Sequence, residues 1–447
     1  MASSTRNPPF VLVPQYFGST VFDRSTSKYL PFDTETTELL IRLKHEPFDV
    51  VLAQVHDADR RTQLQRFFES FYKLGFFTLD LRFAGSILDV DVPRDHLVGP
   101  LALHLEIAAA CNLKCTHCFA GELPRKEEPL SLQELDRLFA TLARLGTFRM
   151  GLTGGEPLLR RDLFDVIDAA TEHGLHPCIT TNGLLITEEI AREFGQRKLV
   201  WLNVSLEGAT AGTNDRVRGP GTFDAVRERL SLLSNHARFT LAFTIMKTNL
   251  EEMKDCVELA YEVGAHTAVF RPLYPVGIAR HHLDLMPSFA EYNEALNVLA
   301  GAQEDRHFEL CSIDPFSPHT REGKQSSIYE NSGCGAGNLV CSVSLSGDVN
   351  PCSFLGPEFA AANIRHTPFE EIWHNSQGFR RIRGLSSDDE SFNGGCRARA
   401  LVLNGSINAP DPWVTGQRDM AHTGNRVYDP LTIVNISRSA SERRTSD

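Results

Sequence analysis

The sequence predicts an α/β protein with an incomplete parallel barrel at its centre, a small α+β module before it and a loop-rich region after it. Three observations carry that prediction. From residue 101 to about 310, short apolar runs alternate with amphipathic stretches, the pattern of a parallel sheet covered by helices. Residues 10–75 instead run strands first and helices afterwards. The ten cysteines avoid the first 110 residues and everything beyond 396, so metal or redox chemistry is confined to the middle and later parts of the chain.

Taken in order, FVLVPQ (10–15), GSTVFD (18–23) and KYLPFD (28–33) read as short strands separated by turns. ETTELLIRLKHE (35–46) and RRTQLQRFFESFYKLG (60–75) carry apolar residues at helical spacing, and Gly75 is placed to stop the second helix. The connector VDVPRDHLVGP (90–100) follows. LHLEI, FRMGL, HPCIT, VWLNVS, TLAFTIM and TAVFR are then six mostly apolar strands. Helices are expected between them at 131–145, 162–173, 187–196, 222–235 and 249–263. Ser131 with Glu134 and Ser288 with Glu291 fit the capping box of a helix start. Six such strands curl into a partial (β/α)6 TIM-like barrel, whose active site belongs at the C-terminal ends of the strands. Residues 311–415 are rich in Gly, Pro and Ser, and 416–447 read as a polar, disordered tail. The expected divisions are 1–95, 101–310, 311–415 and 416–447.

The 447 residues leave room for two or three domains. Hydrophobic residues make up 42% and charged residues 23%, ordinary for a soluble globular protein. A net charge of −12 argues against nucleic-acid binding driven by charge. No apolar run approaches a membrane span, and MASSTRNPPFVLVPQ has no signal core. A cytoplasmic protein is expected, where cysteines point to metal or redox chemistry rather than disulfides.

CNLKCTHCFA (111–120) places Cys111, Cys115 and Cys118 on a loop just after the first barrel strand. Three thiolates there can face one centre. A closed zinc site would take a fourth ligand, and His117 sits between Cys115 and Cys118 with little freedom to supply it. An iron–sulfur cube fits better: it normally takes four thiolates, so three leave one iron open.

CNLKCTHC resembles the signature of the radical S-adenosylmethionine (SAM) superfamily over about residues 101–275. The resemblance implies that SAM chelates the open iron. One electron then cleaves SAM to methionine and a 5′-deoxyadenosyl radical, which takes hydrogen from a substrate. TGGEP (153–157), ending the second strand, resembles the family segment that binds the methionine ammonium, with Gly154, Gly155 and Glu156 as acceptors. Ser205, ending VWLNVS, resembles the polar residue near the ribose or carboxylate. Arg218, in DRVRGPGTF, resembles the arginine that pairs with the methionine carboxylate. The alternatives are a strand-end hydroxyl for Ser205 and a solvated loop charge for Arg218. Asn182 in TTNG (180–183) is family-like, and also suits a residue that only shapes the turn.

The later segments CGAGNLVCSVSLSGDVNPC (334–352), GGCRARA (394–400) and NAPDPW (408–413) resemble the extension called SPASM or its shorter relative, twitch. That resemblance implies an auxiliary 4Fe–4S cluster on Cys334, Cys341, Cys352 and Cys396, with Gly347-Asp348 turning a hairpin that returns Cys352 towards Cys341. A zinc site is the competing reading for these four. Relatives with a second auxiliary cluster carry cysteines where this chain has Asn393 and Val414, and GLSSDDESF (384–392) has none. Two clusters in all are expected. Cys178, Cys256 and Cys311 are read as structural thiols.

FGSTVFDRSTSKYLPFDTETTELLIRL, followed by a helix ending in KLGFF, resembles the PqqD-like fold, a small winged-helix-type domain that often binds the leader of a precursor peptide as an added strand. GSTVFD is the expected exposed strand. The resemblances imply a peptide maturase forming a thioether or carbon–carbon cross-link. The alternative is a dehydrogenase, dehydratase or decarboxylase acting on a sugar, cyclitol or nucleoside. A reductant such as flavodoxin or ferredoxin is the expected partner. His281, His282 and Asp284 follow the last barrel strand, but nothing nominates them or any other residue as a catalytic acid or base.

Overall fold

Alternating apolar residues over 10–33 make three antiparallel strands in the computed structural model, which describes residues 8–121, 128–304, 309–312, 334–385 and 395–413. They are β1 (Phe10–Gln15), β2 (Gly18–Asp23) and β3 (Lys28–Asp33), followed by helices α1 (Thr34–His45), α2 (Phe48–Ala53) and α3 (Ala58–Tyr72). The short β4 (Ser86–Ile87) joins in parallel with β1, giving the order β3-β2-β1-β4. GSTVFD is therefore not the exposed edge that the sequence suggested. It is β2, paired on both sides, and the outer strand at that end is β3.

Both faces of this small sheet are buried, and the pleat assigns them to different cores. Phe10, Leu12, Val21 and Phe32 join residues of α1 to α3 in the module's own core. Val11, Val13, Phe22 and Tyr29 belong to the core of the barrel. Phe22 stacks on Phe148 at 4.8 Å. The Tyr29 hydroxyl donates to the Gly146 carbonyl (2.9 Å) and accepts the Phe148 N–H (2.7 Å). Arg24 donates to the Gly174 carbonyl at 2.8 Å. These contacts lie at the N-terminal ends of the barrel strands.

The barrel strands are β5 (Ala102–Ala108), β6 (Arg149–Gly154), β7 (His176–Thr181), β8 (Leu202–Ser205), β9 (Thr240–Ile245) and β10 (Thr267–Pro272), each parallel to the next. Helices α4 (Leu132–Arg144), α5 (Leu163–Glu172), α6 (Glu188–Gly195), α7 (Ala211–Arg218), α8 (Thr222–Ser234), α9 (Met253–Glu262) and α10 (Phe289–Glu304) lie between and after them. Alternate strand residues (Leu103, Leu105, Met150, Leu152, Val204, Leu241) enter the core under the helices. The residues between them, from His104 and Cys178 to Asn203 and Arg271, take the opposite face of the sheet. Both expected capping boxes form, at Ser131 and at Ser288.

The sheet runs on past the expected six strands. β11 (Glu309–Ser312) pairs in parallel with β10 and carries Cys311. At the other edge β12 (Val340–Val343) pairs in parallel with β5, and β13 (Asp348–Asn350) and β14 (Ala362–Asn363) follow antiparallel, completing ten strands. The cysteine-bearing region thus extends the barrel sheet. The hairpin turns over Ser344 to Gly347, with Gly347 at φ 99 and Asp348 already in β13. Helices α11 (Phe369–Asn375), α12 (Gln377–Arg383) and α13 (Arg397–Asn404) close it, and the Trp373 indole N–H donates to the Leu97 carbonyl at 2.8 Å. No helix among the described residues is long and apolar enough to cross a membrane. Asn393, Val414 and the expected tail lie outside the described residues.

Candidate functional site

β5 ends at Ala108 and hands the chain to the cysteine loop. The TGGEP segment leaving β6 is tied to it by backbone bonds: the Gly155 N–H donates to the Ala108 carbonyl and the Glu156 N–H to the Ala110 carbonyl, both at 2.7 Å. The two glycines are needed for this approach. A Cβ at Gly155 would stand 2.0 Å from the Ala110 oxygen, and Gly154, at φ 127, would meet the Ala108 oxygen at 2.5 Å.

Glu156 is 1% exposed. Its carboxylate accepts from the Thr181 hydroxyl (2.6 Å), the Asn182 N–H (2.8 Å) and the Leu158 N–H (3.1 Å). Burial pushes its carboxyl up, and these donors only partly offset that. The carboxylate read from sequence as an acceptor for ammonium is thus engaged in fastening β6 to β7. Asn182 does more than shape its turn. Its side-chain oxygen accepts the Leu184 N–H (3.0 Å), while its amide donates to Asn112 Oδ1 (2.7 Å) and faces Cys111 Sγ at 4.0 Å.

Within the loop, the Leu113 N–H approaches Cys111 Sγ at 3.5 Å, and the Cys118 N–H donates to the Cys115 carbonyl at 3.3 Å. The three cysteines are half-buried. Burial pushes the Cys115 thiol up to about 11, opposed by Arg218 and reinforced by Cys118 and Cys111. The structure therefore brings the three sulfurs into one electrostatic neighbourhood. An all-thiol set on one loop, open at a strand end and receiving an N–H, fits an iron–sulfur cluster with an open iron.

Ser205 closes β8 and is 8% exposed. Two residues on, past the end of β8, stands Glu207. Sequence reading passed over it. Its Oε1 receives Arg218 Nη2 at 2.7 Å and faces His117 Nε2 at 3.0 Å, and its Oε2 accepts the Thr244 N–H at 2.8 Å. Burial alone would push this carboxyl up, but His117 and Arg218 together hold it down at about 2. Arg218 is no solvated loop charge: it ends α7, is 8% exposed and is paired. His117 is turned to Glu207. No local spacing marks Glu207, because its partners lie on opposite sides of it in the sequence.

In the second cluster, Cys341 sits on β12, Cys352 just after β13, and Cys396 at the N-cap of α13. The Phe354 N–H points at Cys352 Sγ and the Arg399 N–H at Cys396 Sγ, each at 3.5 Å. Burial raises all four thiols, Cys396 to about 12, and Cys334 and Cys396 both act on Cys352. Cys352 also acts on Cys341, opposed there by Arg383. Among the described residues, no group of three or more His, Cys, Asp and Glu is spaced to grip a single metal ion. Four thiols, three of them buried, with N–H donors on the sulfurs of Cys352 and Cys396, fit a larger iron–sulfur cluster. Cys178 accepts from the Asn203 amide at 3.5 Å and Cys256 is fully buried in α9.

A parallel barrel with three cysteines at the mouth of its first strand and a glycine turn beside them defines a SAM-dependent radical enzyme. Residues 105–260 match the radical SAM superfamily, and 334–398 match an iron-sulfur cluster-binding domain, SPASM. The mycofactocin maturase MftC of Mycolicibacterium smegmatis is 32% identical over 329 residues, covering 71% of this chain and 83% of that protein. The AdoMet-dependent heme synthase of Methanosarcina barkeri is 32% identical over 345 residues, covering 70% and 96%. Among solved structures, Streptococcus suis SuiB bound to its precursor peptide SuiA superposes with a TM-score of 0.68 at 17% identity, covering 90% of this chain and 97% of that one. The chain belongs to the radical SAM superfamily, in its SPASM-bearing branch, and its cofactors are SAM and two 4Fe–4S clusters.

Proposed function

We propose that this enzyme matures a ribosomally made precursor peptide, abstracting hydrogen from one of its residues and closing a thioether or carbon–carbon cross-link. The observation that carries the reading is the docked N-terminal module, read as a PqqD-like leader-binding domain. The likeness to SuiB covers 90% of the chain, more than remains when residues 1–95 are set aside, so it extends into this module, which supports the reading. MftC, a maturase, supports the same reading. A leader would add to the outer side of β3, which has no partner strand among the described residues.

Cys111, Cys115 and Cys118 would hold a four-iron cluster, which would supply one-electron reduction for the cleavage of SAM. Arg218 offers a guanidinium to the methionine carboxylate, a pairing suited to its geometry. The carbonyls of Gly154 and Gly155 accept from the ammonium, while Glu156 keeps their segment pressed against the cysteine loop. Ser205 lies beside the ribose or carboxylate. Cys334, Cys341, Cys352 and Cys396 would hold the auxiliary cluster, which would supply an acceptor for the surplus electron. A flavodoxin or ferredoxin provides the first one, and the reaction is cytoplasmic.

The similarity to a heme synthase favours the second reading, a small-molecule substrate. The deciding experiment titrates the anaerobically reconstituted full chain with each short peptide encoded beside its gene, with SAM and reductant present. Binding, and a product lighter by a pair of hydrogens, is expected for one of them. No binding at about 100 µM, equivalent to about 5.5 kcal/mol, together with no mass change, would move the assignment to the small-molecule class.

A further inference from the structure

We propose that Glu207 is a charge-balancing and positioning residue of the cysteine loop, whose buried carboxylate lowers the reduction potential of the cluster held by Cys111, Cys115 and Cys118. It rests on the assignment of those three cysteines as ligands.

Glu207 is 1% exposed and pinned through its own backbone. Its N–H donates to Asn214 Oδ1 (3.1 Å), and its carbonyl accepts from the Asn249 amide (3.0 Å). With its backbone held, the side chain is aimed by its own contacts. One contact is His117, directly before Cys118; another is Arg218, at the end of α7. The loop is fastened to the same helix a second time, since the Thr116 N–H donates to the Val217 carbonyl at 3.0 Å. A shift of Glu207 would therefore move the loop and the arginine together.

The electrostatic side is equally direct. Cys115 feels Arg218 and Glu207 with opposite signs. Arg218 acts on Cys115 and Cys118 in return. Away from water, such charges act over several ångströms with little screening. Reduction adds an electron to the cluster, so a neighbouring cation favours it and a neighbouring carboxylate opposes it. Arg218 alone would make the cluster easy to reduce and a correspondingly weak donor. Glu207 removes much of that bias while leaving the guanidinium in place. It uses one nitrogen of each partner: Arg218 Nε and His117 Nδ1 are buried without a hydrogen-bond partner among the described residues.

The test is an EPR-monitored redox titration of the anaerobically reconstituted full chain. The relevant signal is identified in the parent by its change on adding SAM and followed in each variant without SAM. Glu207→Gln keeps shape and removes charge. It should shift the ratio of oxidised to reduced cluster at fixed potential about tenfold towards reduced, which is about 59 mV for one electron. Glu207→Asp keeps the charge and should stay within about twofold of the parent. Arg218→Gln should shift the ratio the opposite way, a sign reversal that loosened packing would not produce. Iron content is measured for each. Glu207→Gln titrating with the parent, or both neutral variants moving in one direction, overturns the proposal. Should Glu207→Gln fail to assemble, Arg218→Gln decides alone: a potential equal to or above the parent's overturns it. A parent without a SAM-sensitive signal would instead overturn the ligand assignment.

Discussion

Asp411 is fully buried and carries the geometry around Cys396. Its carboxylate accepts the Cys396 N–H (2.7 Å), two nitrogens of Arg399 (2.8 and 2.7 Å) and the Trp413 N–H (3.0 Å). The Arg399 guanidinium in turn lies 4.2 Å from the centre of the Trp413 ring. Asp411→Ala would remove the carboxylate that pairs with a buried guanidinium, and breaking a buried pair costs about 3–5 kcal/mol. The expected outcome, read by denaturant unfolding and iron analysis, is a less stable chain that loses its auxiliary cluster and keeps the first. Retention of both clusters at parental stability would show that Arg399 finds another partner. NAPDPW was visible in the sequence as a motif, but the role of its aspartate was not, because Cys396 and Arg399 reach it only through the fold. Glu207 escaped for the same reason. Its partners lie 90 residues before it and 11 after it, and no local spacing joins them.

The elements that were legible are those with a local signature. The six barrel strands and the three strands of the module announce themselves by apolar runs or alternation between turns. The missed ones have weak local patterns. α7, AGTNDRVR, has no broad apolar stripe, though Thr210 caps its start by accepting the Thr213 N–H at 3.3 Å. β4 is two residues long, and β12 exists through pairing with β5 across more than two hundred residues. β2 was mistaken for an edge although both its partners are local: it is the middle strand of the run β1, β2, β3. The module is also not free-standing: isolated, it would expose Val11, Val13, Phe22 and Tyr29. Tyr29→Phe leaves the Phe148 N–H and the Gly146 carbonyl without their partner, at about 1–3 kcal/mol for each buried group. It should lower the melting temperature of the whole chain. A separate melt of the module in the parent would argue against this docking. His176, hydrogen-bonded to Ser27 at 2.7 Å, lies at the same junction. Burial, with Arg24 and other cations adding, pulls its pKa down to about 4. The unfolded chain binds this proton near 6.5, so the folded state loses stability as pH falls from about 6.5 towards 4. His176→Gln should flatten that slope.

At the scale of the molecule, the module and the cysteine loop occupy opposite ends of the barrel. The module touches Gly146, Phe148 and Gly174, before β6 and β7, whereas Cys111 and Gly155 follow the ends of β5 and β6. A six-residue strand spans roughly 20 Å, so a leader held at β3 needs at least about six extended residues before its modified portion reaches the site. Shortening that stretch in a substrate peptide should abolish turnover while leaving leader binding intact. The cluster count is set at the same scale, because β12 places the auxiliary ligands on the sheet that also carries the first cluster's loop. Three cysteines at one mouth and four on and around β12 make two cubes, so reconstituted enzyme should hold about eight irons and eight sulfides. Changing Cys111, Cys115 and Cys118 together to Ala should leave about four irons and end SAM cleavage. Changing Cys334 and Cys396 to Ala should also leave about four, but with SAM cleavage uncoupled from product retained. About twelve irons in the parent would contradict the reading of Asn393 and Val414 as lost ligands, and zinc in place of iron would contradict the assignment of the four later thiols.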